Sequence, residues 1–85
     1  MDHERKEMLR AAYKDLLDLR TTDSVCEILQ SKGFITSNDK EIVMSKKNKA
    51  ERNNKLYLVV SKLGNSGYDA FRMALVTLQE IELLE

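Results

Sequence analysis

The stretch SKGFITSNDKE, residues 31–41, places two large apolar residues, Phe34 and Ile35, directly after a glycine. Glycine often stands just past the end of a helix, because it adopts positive φ without strain. Thr36 is suited to cap a new helix, with Asp39 at the third helical position of a capping box. The stretch therefore predicts a tight corner between two helices, with Phe34 folded back on the first helix and Ile35 buried.

Apolar residues recur at helical spacing on both sides of this corner. The chain has no proline and only three glycines, which favours helices over loops. The predicted helices cover residues 4–19, 22–32, 37–45 and 49–63, and a fifth follows a cap at Ser66. Residues 79–85, QEIELLE, are the end of the fifth helix or a short sixth one. We therefore predict an all-α fold, an antiparallel bundle of five to six helices in one domain covering residues 1–85.

The residue types that carry most enzyme chemistry are scarce in this chain. Cys26 has acidic neighbours on an amphipathic helix, which is typical of a small buried side chain and not of a reactive thiolate. His3, the single histidine, lies near the N-terminus, and one Cys with one His cannot build a zinc site. There is no glycine-rich phosphate loop. We expect a binding domain that is not an enzyme and holds no metal ion or cofactor.

The same sequence bears on location. Its N-terminal residues are charged, and it has no run of apolar residues long enough to span a bilayer. A single cysteine is compatible with a reducing compartment. We therefore expect a cytosolic or nuclear protein, with the cytoplasm as the predicted location.

Charge is unevenly distributed although the formal net charge is zero. Residues 15–27 hold four acids against one arginine, a balance of −3. Residues 44–62 hold six bases against one glutamate, a balance of +5, and residues 69–85 return to −3 with four acids against one arginine. Regions of opposite charge on one small body suit docking against a complementary protein surface.

The basic region also allows another interpretation. Residues 46–55, KKNKAERNNK, could contact the phosphates of a nucleic acid. Against this, the chain is neutral overall and no aromatic stacking platform accompanies these bases in the sequence. A protein surface is the favoured partner, a small helical nucleic-acid-binding domain is the alternative, and a merely solvated face remains open.

Two stretches resemble the caspase recruitment domain (CARD), a member of the death-fold superfamily. Residues 28–43, ILQSKGFITSNDKEIV, are similar to the corner between its second and third helices. Residues 58–75, LVVSKLGNSGYDAFRMAL, resemble the passage between its fourth and fifth helices, with the pattern formed by Ala70, Phe71, Ala74 and Leu75. The resemblance implies a six-helix antiparallel bundle of Greek-key type, with a short sixth helix. The parent protein would resemble an initiator caspase, an adaptor or the apoptosome scaffold.

What the resemblance implies about function is homotypic association with another CARD through complementary charged faces, and possible self-association. Such binding would recruit or assemble caspase-activating complexes in apoptotic or inflammatory signalling. The implied basic face consists of Arg10, Lys14, Arg52 and Lys55. The implied acidic face consists of Asp23, Glu27, Asp39 and Glu41. Lys32 and Lys40 interrupt these acids along the chain.

Overall fold

The computed structural model of the chain describes residues 1–78. Within these residues it contains six helices and no strand. In chain order the helices are α1 His3–Ala11, α2 Tyr13–Leu16, α3 Thr22–Ser31, α4 Ser37–Met44, α5 Lys49–Ser61 and α6 Asn65–Thr77. The predicted all-α bundle is confirmed. The predicted short sixth helix falls in residues 79–85, which lie outside the described residues.

The predicted helix over residues 4–19 is wrong in its extent. The structure interrupts it at Ala12, which separates α1 from α2, and the helix ends at Leu16. The amides of Asp18 and Leu19 bond to carbonyls three positions back, as in a tightened final turn. The later predicted helices agree with α3, α4 and α5 to within two residues at each end.

The interruption at Ala12 coincides with contacts that hold α2 against α5. Tyr13, the first residue of α2, donates its hydroxyl hydrogen to the side-chain oxygen of Asn54 at 2.6 Å. Its ring meets Tyr57 edge to face, with the ring centroids 4.7 Å apart. These contacts give a physical reason for an interruption that no glycine or proline in the sequence indicates.

The corner between α3 and α4 forms as predicted. Gly33 has a φ of +82°, and its N–H donates to the carbonyl of Gln30 at 3.0 Å. The N–H of Phe34 donates to the carbonyl of Leu29 at 2.9 Å, which completes a Schellman motif. Phe34 packs against the core and Ile35 is buried within it.

Thr36 and Asp39 form the predicted capping box at the start of α4. The Thr36 hydroxyl accepts the N–H of Asp39 at 3.0 Å, and the Asp39 carboxylate accepts the N–H of Thr36 at 2.9 Å. The predicted cap at Ser66 is wrong, because α6 begins at Asn65 with Gly64 in the cap position. Asn65 itself accepts the backbone N–H of Asp2 at 2.7 Å, which ties the start of α6 to the start of α1.

The core lies where α3 meets α4, α5 and α6. Its fully buried side chains are mostly leucine and valine around the ring of Phe71, and Cys26 is buried among them as predicted. One polar side chain, Asn53, is only 1% exposed within this core. It donates hydrogen bonds to the carbonyls of Leu17 at 2.8 Å and Leu19 at 3.0 Å. Asn53 therefore attaches the loop between α2 and α3 to α5.

Candidate protein-interaction surfaces

A groove lies on the surface between α2, the turn before α5, and α5. Its volume is about 870 Å³, and its lining includes three apolar or aromatic side chains and three lysines: Tyr13, Leu17, Leu58, Lys46, Lys47 and Lys55. We call it the basic groove. The order of the chain explains the composition, because the SKKNK turn brings its lysines beside the outward face of α5.

The three lysines of the basic groove keep their charge available. None of Lys46, Lys47 and Lys55 forms an ion pair with any residue in the range 1–78. Glu51 is the acid in the lining, so three lysines and one glutamate leave a net charge of +2. Leu58 is 43% exposed in the same groove. Exposed apolar side chains beside lysines without ion pairs suit an acidic partner that also carries apolar side chains.

The predicted basic residues have different surroundings. Arg10 pairs with Glu7 on its own helix at 2.9 Å and lies beside a smaller depression that includes Tyr57. Lys14 is exposed on α2 and does not line the basic groove. Lys55 lines the groove itself. The structure thus places Lys55 in the basic groove and Arg10 at a separate depression.

Arg52 points away from the helix flank that carries Asn54. Side chains two positions apart on a helix project about 200° from each other, and Asn54 faces Tyr13 on α2. The Nε atom of Arg52 is buried and has no hydrogen-bond partner among the described residues. Among the four predicted basic residues, Arg52 is therefore the one whose charged group is partly buried.

The predicted acidic residues on α3 converge on a lysine of α4. The ammonium of Lys40 lies 3.1 Å from the carboxylate of Asp23 and 3.1 Å from that of Glu27. Hydrogen bonding to Asp23 and then to Glu27 raises the pKa of Lys40. Residues 23 and 27 stand one helical turn apart, so a single cation can bridge them.

The other two predicted acidic residues have different surroundings. Glu41 is exposed and shares a depression of about 450 Å³ with Asp23 and Lys40. Asp39 is half-buried, and its carboxylate is engaged in the cap of α4. The structure thus brings Asp23, Glu27 and Glu41 together around Lys40 and gives Asp39 a local structural role. Their function as a binding face stays a prediction.

The groove residues that sequence reasoning missed are Leu17 and Tyr13, which both lie inside the single helix predicted over residues 4–19. The sequence contains only a weak signal for these two residues, since both follow the interruption at Ala12, which no residue type in the sequence indicates. Asn54 was also missed. Two adjacent asparagines in a helix interior were the available signal, because asparagine has low helix propensity and is retained there for side-chain hydrogen bonds.

Cys26 is the titratable group most changed by its surroundings. Burial raises the pKa of its thiol from 9.0 to about 11, while Lys40 lowers it and Asp23 raises it by smaller amounts. A thiol with this pKa is protonated and unreactive at neutral pH. Within residues 1–78, no group of three or more His, Cys, Asp or Glu side chains is placed to hold a metal ion. Across the same residues, no helix has the length and apolar character needed to cross a membrane.

Comparison of the chain with protein-family models and with curated protein sequences found no match.

Proposed function

We propose that this chain is a protein-interaction domain of the CARD type, which binds another CARD through surfaces of opposite charge. Its role would be to recruit or assemble caspase-activating complexes in the cytoplasm. The proposal rests on the resemblance carried by residues 28–43 and 58–75, and it is supported by the small all-α bundle and the Schellman corner at Gly33. Recruitment of this kind needs binding surfaces and no catalytic residues.

The single observation that carries the proposal is the basic groove. Lys46, Lys47 and Lys55 surround exposed apolar surface at Leu58 and have no intramolecular ion pair within the described residues. Unpaired lysines around an exposed leucine favour an acidic protein surface with an apolar centre, since both contributions are then satisfied at once. A nucleic acid would use the lysines but leave Leu58 without a partner.

The test is capture of purified domains by the intact chain at low and at high salt. The probes are a panel of purified CARDs with acidic surfaces and, in parallel, a DNA duplex and a single-stranded RNA. We expect at least one CARD to be captured, with binding weakened by salt because the contacts include screened charges. The double variant Lys47→Glu with Lys55→Glu should reduce its affinity roughly tenfold or more, since opposite charges become like charges at the contact.

The matched control is Lys32→Glu with Lys62→Glu. Both lysines are exposed and neither lines the basic groove, so this variant has the same net charge as the groove variant. It should retain binding. Equal losses in the two variants would contradict a groove-specific contact. Capture of nucleic acid but of no CARD would replace the proposal with the nucleic-acid-binding alternative.

A further inference from the structure

Lys40 occupies the part of the acidic face to which a partner's cation would bind. Its ammonium lies 3.1 Å from Asp23 and 3.1 Å from Glu27, and it crosses from α4 to α3 to reach them. The Lys40 side chain is 24% exposed, whereas the Asp23 and Glu27 side chains are 60% and 63% exposed. The lysine is therefore held against the body of the protein, and the acids that it bridges face outward.

This arrangement makes the two candidate surfaces unequal. At the acidic face, the ammonium of Lys40 pairs with two carboxylates of the same molecule. A cation of a partner protein therefore meets a local negative charge that is smaller by one unit. At the basic groove, Lys46, Lys47 and Lys55 have no such partner within residues 1–78. A ligand on the same molecule has a high effective concentration, so Lys40 competes persistently with any external cation.

We propose that Lys40 is an internal counter-ion that blocks the acidic face, so that this domain docks through its basic groove alone. This inference deepens the proposed function and rests on it. The preferred partner carries acids around an apolar centre, to match the lysines and Leu58. The domain's own acidic face does not receive the groove of a second copy, and the domain therefore ends an assembly and does not extend it.

Removing the charge of Lys40 tests this proposal directly, because the basic groove and the acidic face are then both available for binding on one molecule. We expect wild-type protein to sediment as a monomer at low and at high salt. Lys40→Gln should strengthen self-association at low salt by about two- to fivefold, the scale on which exposed ion pairs act. That self-association should disappear at high salt, and also when Lys47→Glu and Lys55→Glu are added to Lys40→Gln.

Two matched variants separate the internal ion pair from a general change in charge. Lys32→Gln makes the same change in net charge at an exposed lysine that forms no ion pair within the described residues. It should remain monomeric. Lys40→Arg keeps a cation beside Asp23 and Glu27 and should also remain monomeric. If Lys40→Gln is not helical by circular dichroism, Lys40→Met, which keeps an apolar stem of similar length, replaces it.

The outcomes distinguish this inference from the proposed function. A wild-type chain that self-associates as strongly as Lys40→Gln overturns the role of Lys40, and so does a folded Lys40→Gln or Lys40→Met variant that remains monomeric. Self-association of Lys40→Gln that survives reversal of Lys47 and Lys55 overturns the one-directional docking. A wild-type chain that captures no CARD, together with groove-dependent self-association of Lys40→Gln, rejects the proposed partner class and supports the internal counter-ion.

Discussion

The hydroxyl group of Thr22 is hydrogen-bonded to the side-chain oxygen of Asn53 inside the core, although the two residues are 31 positions apart. The amide nitrogen of Asn53 also donates to the carbonyls of Leu17 and Leu19. One buried side chain thus meets the start of α3 and the loop that precedes it. Buried polar groups of this kind stabilise a fold only when their partners are all present.

We expect Asn53→Leu to destabilise the domain by about 2–4 kcal/mol, because the buried carbonyls and the Thr22 hydroxyl lose their partner. Urea unfolding monitored by circular dichroism measures the change. Asn54→Leu is the matched control, since Asn54 accepts one hydrogen bond from Tyr13 at a part-buried position. Its expected cost is about 1 kcal/mol. Equal costs for the two variants would show that the buried hydrogen bonds of Asn53 add nothing.

The sequence predicted the corner at Gly33 well and missed Asn53, and the difference is physical. Schellman motifs and capping boxes are built from residues close in the chain, so their residue types and spacing suffice to identify them. The partners of Asn53 lie more than 30 positions away. These partners become evident only once α5 is packed against the loop after α2. The pattern of apolar residues in the sequence does not specify which carbonyl groups of that loop face Asn53.

Gly33→Ala should destabilise the domain by about 1–2 kcal/mol, because an L-residue with a side chain is strained at a φ of +82°. An added Cβ at this position meets no atom within 4 Å, so the cost comes from the backbone and not from a clash. Thermal or urea unfolding measures it. Gly33→Asn, which tolerates this conformation better, should lose less. An alanine variant as stable as wild type would contradict the positive φ.

Gly64→Ser should stabilise the domain by about 0.3 kcal/mol, because it supplies a side-chain acceptor to a helix that begins without one. Gly64 holds the cap position of α6 in an extended conformation, and its surroundings leave room for a side chain. Gly64→Ala is the matched control, since it adds a Cβ without an acceptor. If the serine variant unfolds at the same or a lower urea concentration than the alanine variant, the capping explanation fails.

The sequence predicted the net charge of each surface region but not which charged side chains pair with each other. The balance of +5 over residues 44–62 correctly pointed to a basic region, and the lysines of the turn before α5 do line a groove. The sequence could not show that Lys40 reaches across to α3, because that contact depends on how closely α4 packs beside it. The burial of the Arg52 Nε atom likewise depends on how α5 is rotated about its own axis. The spacing of apolar residues in the sequence fixes that rotation only approximately.

The buried thiol of Cys26 should make stability fall as pH rises from about 9 toward about 11. Burial raises its pKa to about 11 in the folded protein, against 9.0 for an ordinary thiol. Between these values the unfolded chain releases the thiol proton while the folded chain keeps it, so the unfolded state gains free energy of ionisation. Below pH 9 both states hold the proton and this effect vanishes. The expected loss is about 2 kcal/mol by the upper end of the window.

Urea unfolding at several pH values, with wild type and Cys26→Ala compared, isolates this contribution. Burial also raises the pKa of Tyr68, which acts in the same direction, but Tyr68 is present in both proteins. The alanine variant should be less stable than wild type at neutral pH, because it leaves a small cavity. Its stability should then fall less steeply above pH 9. Parallel curves for the two proteins would show that ionisation of Cys26 is not linked to unfolding.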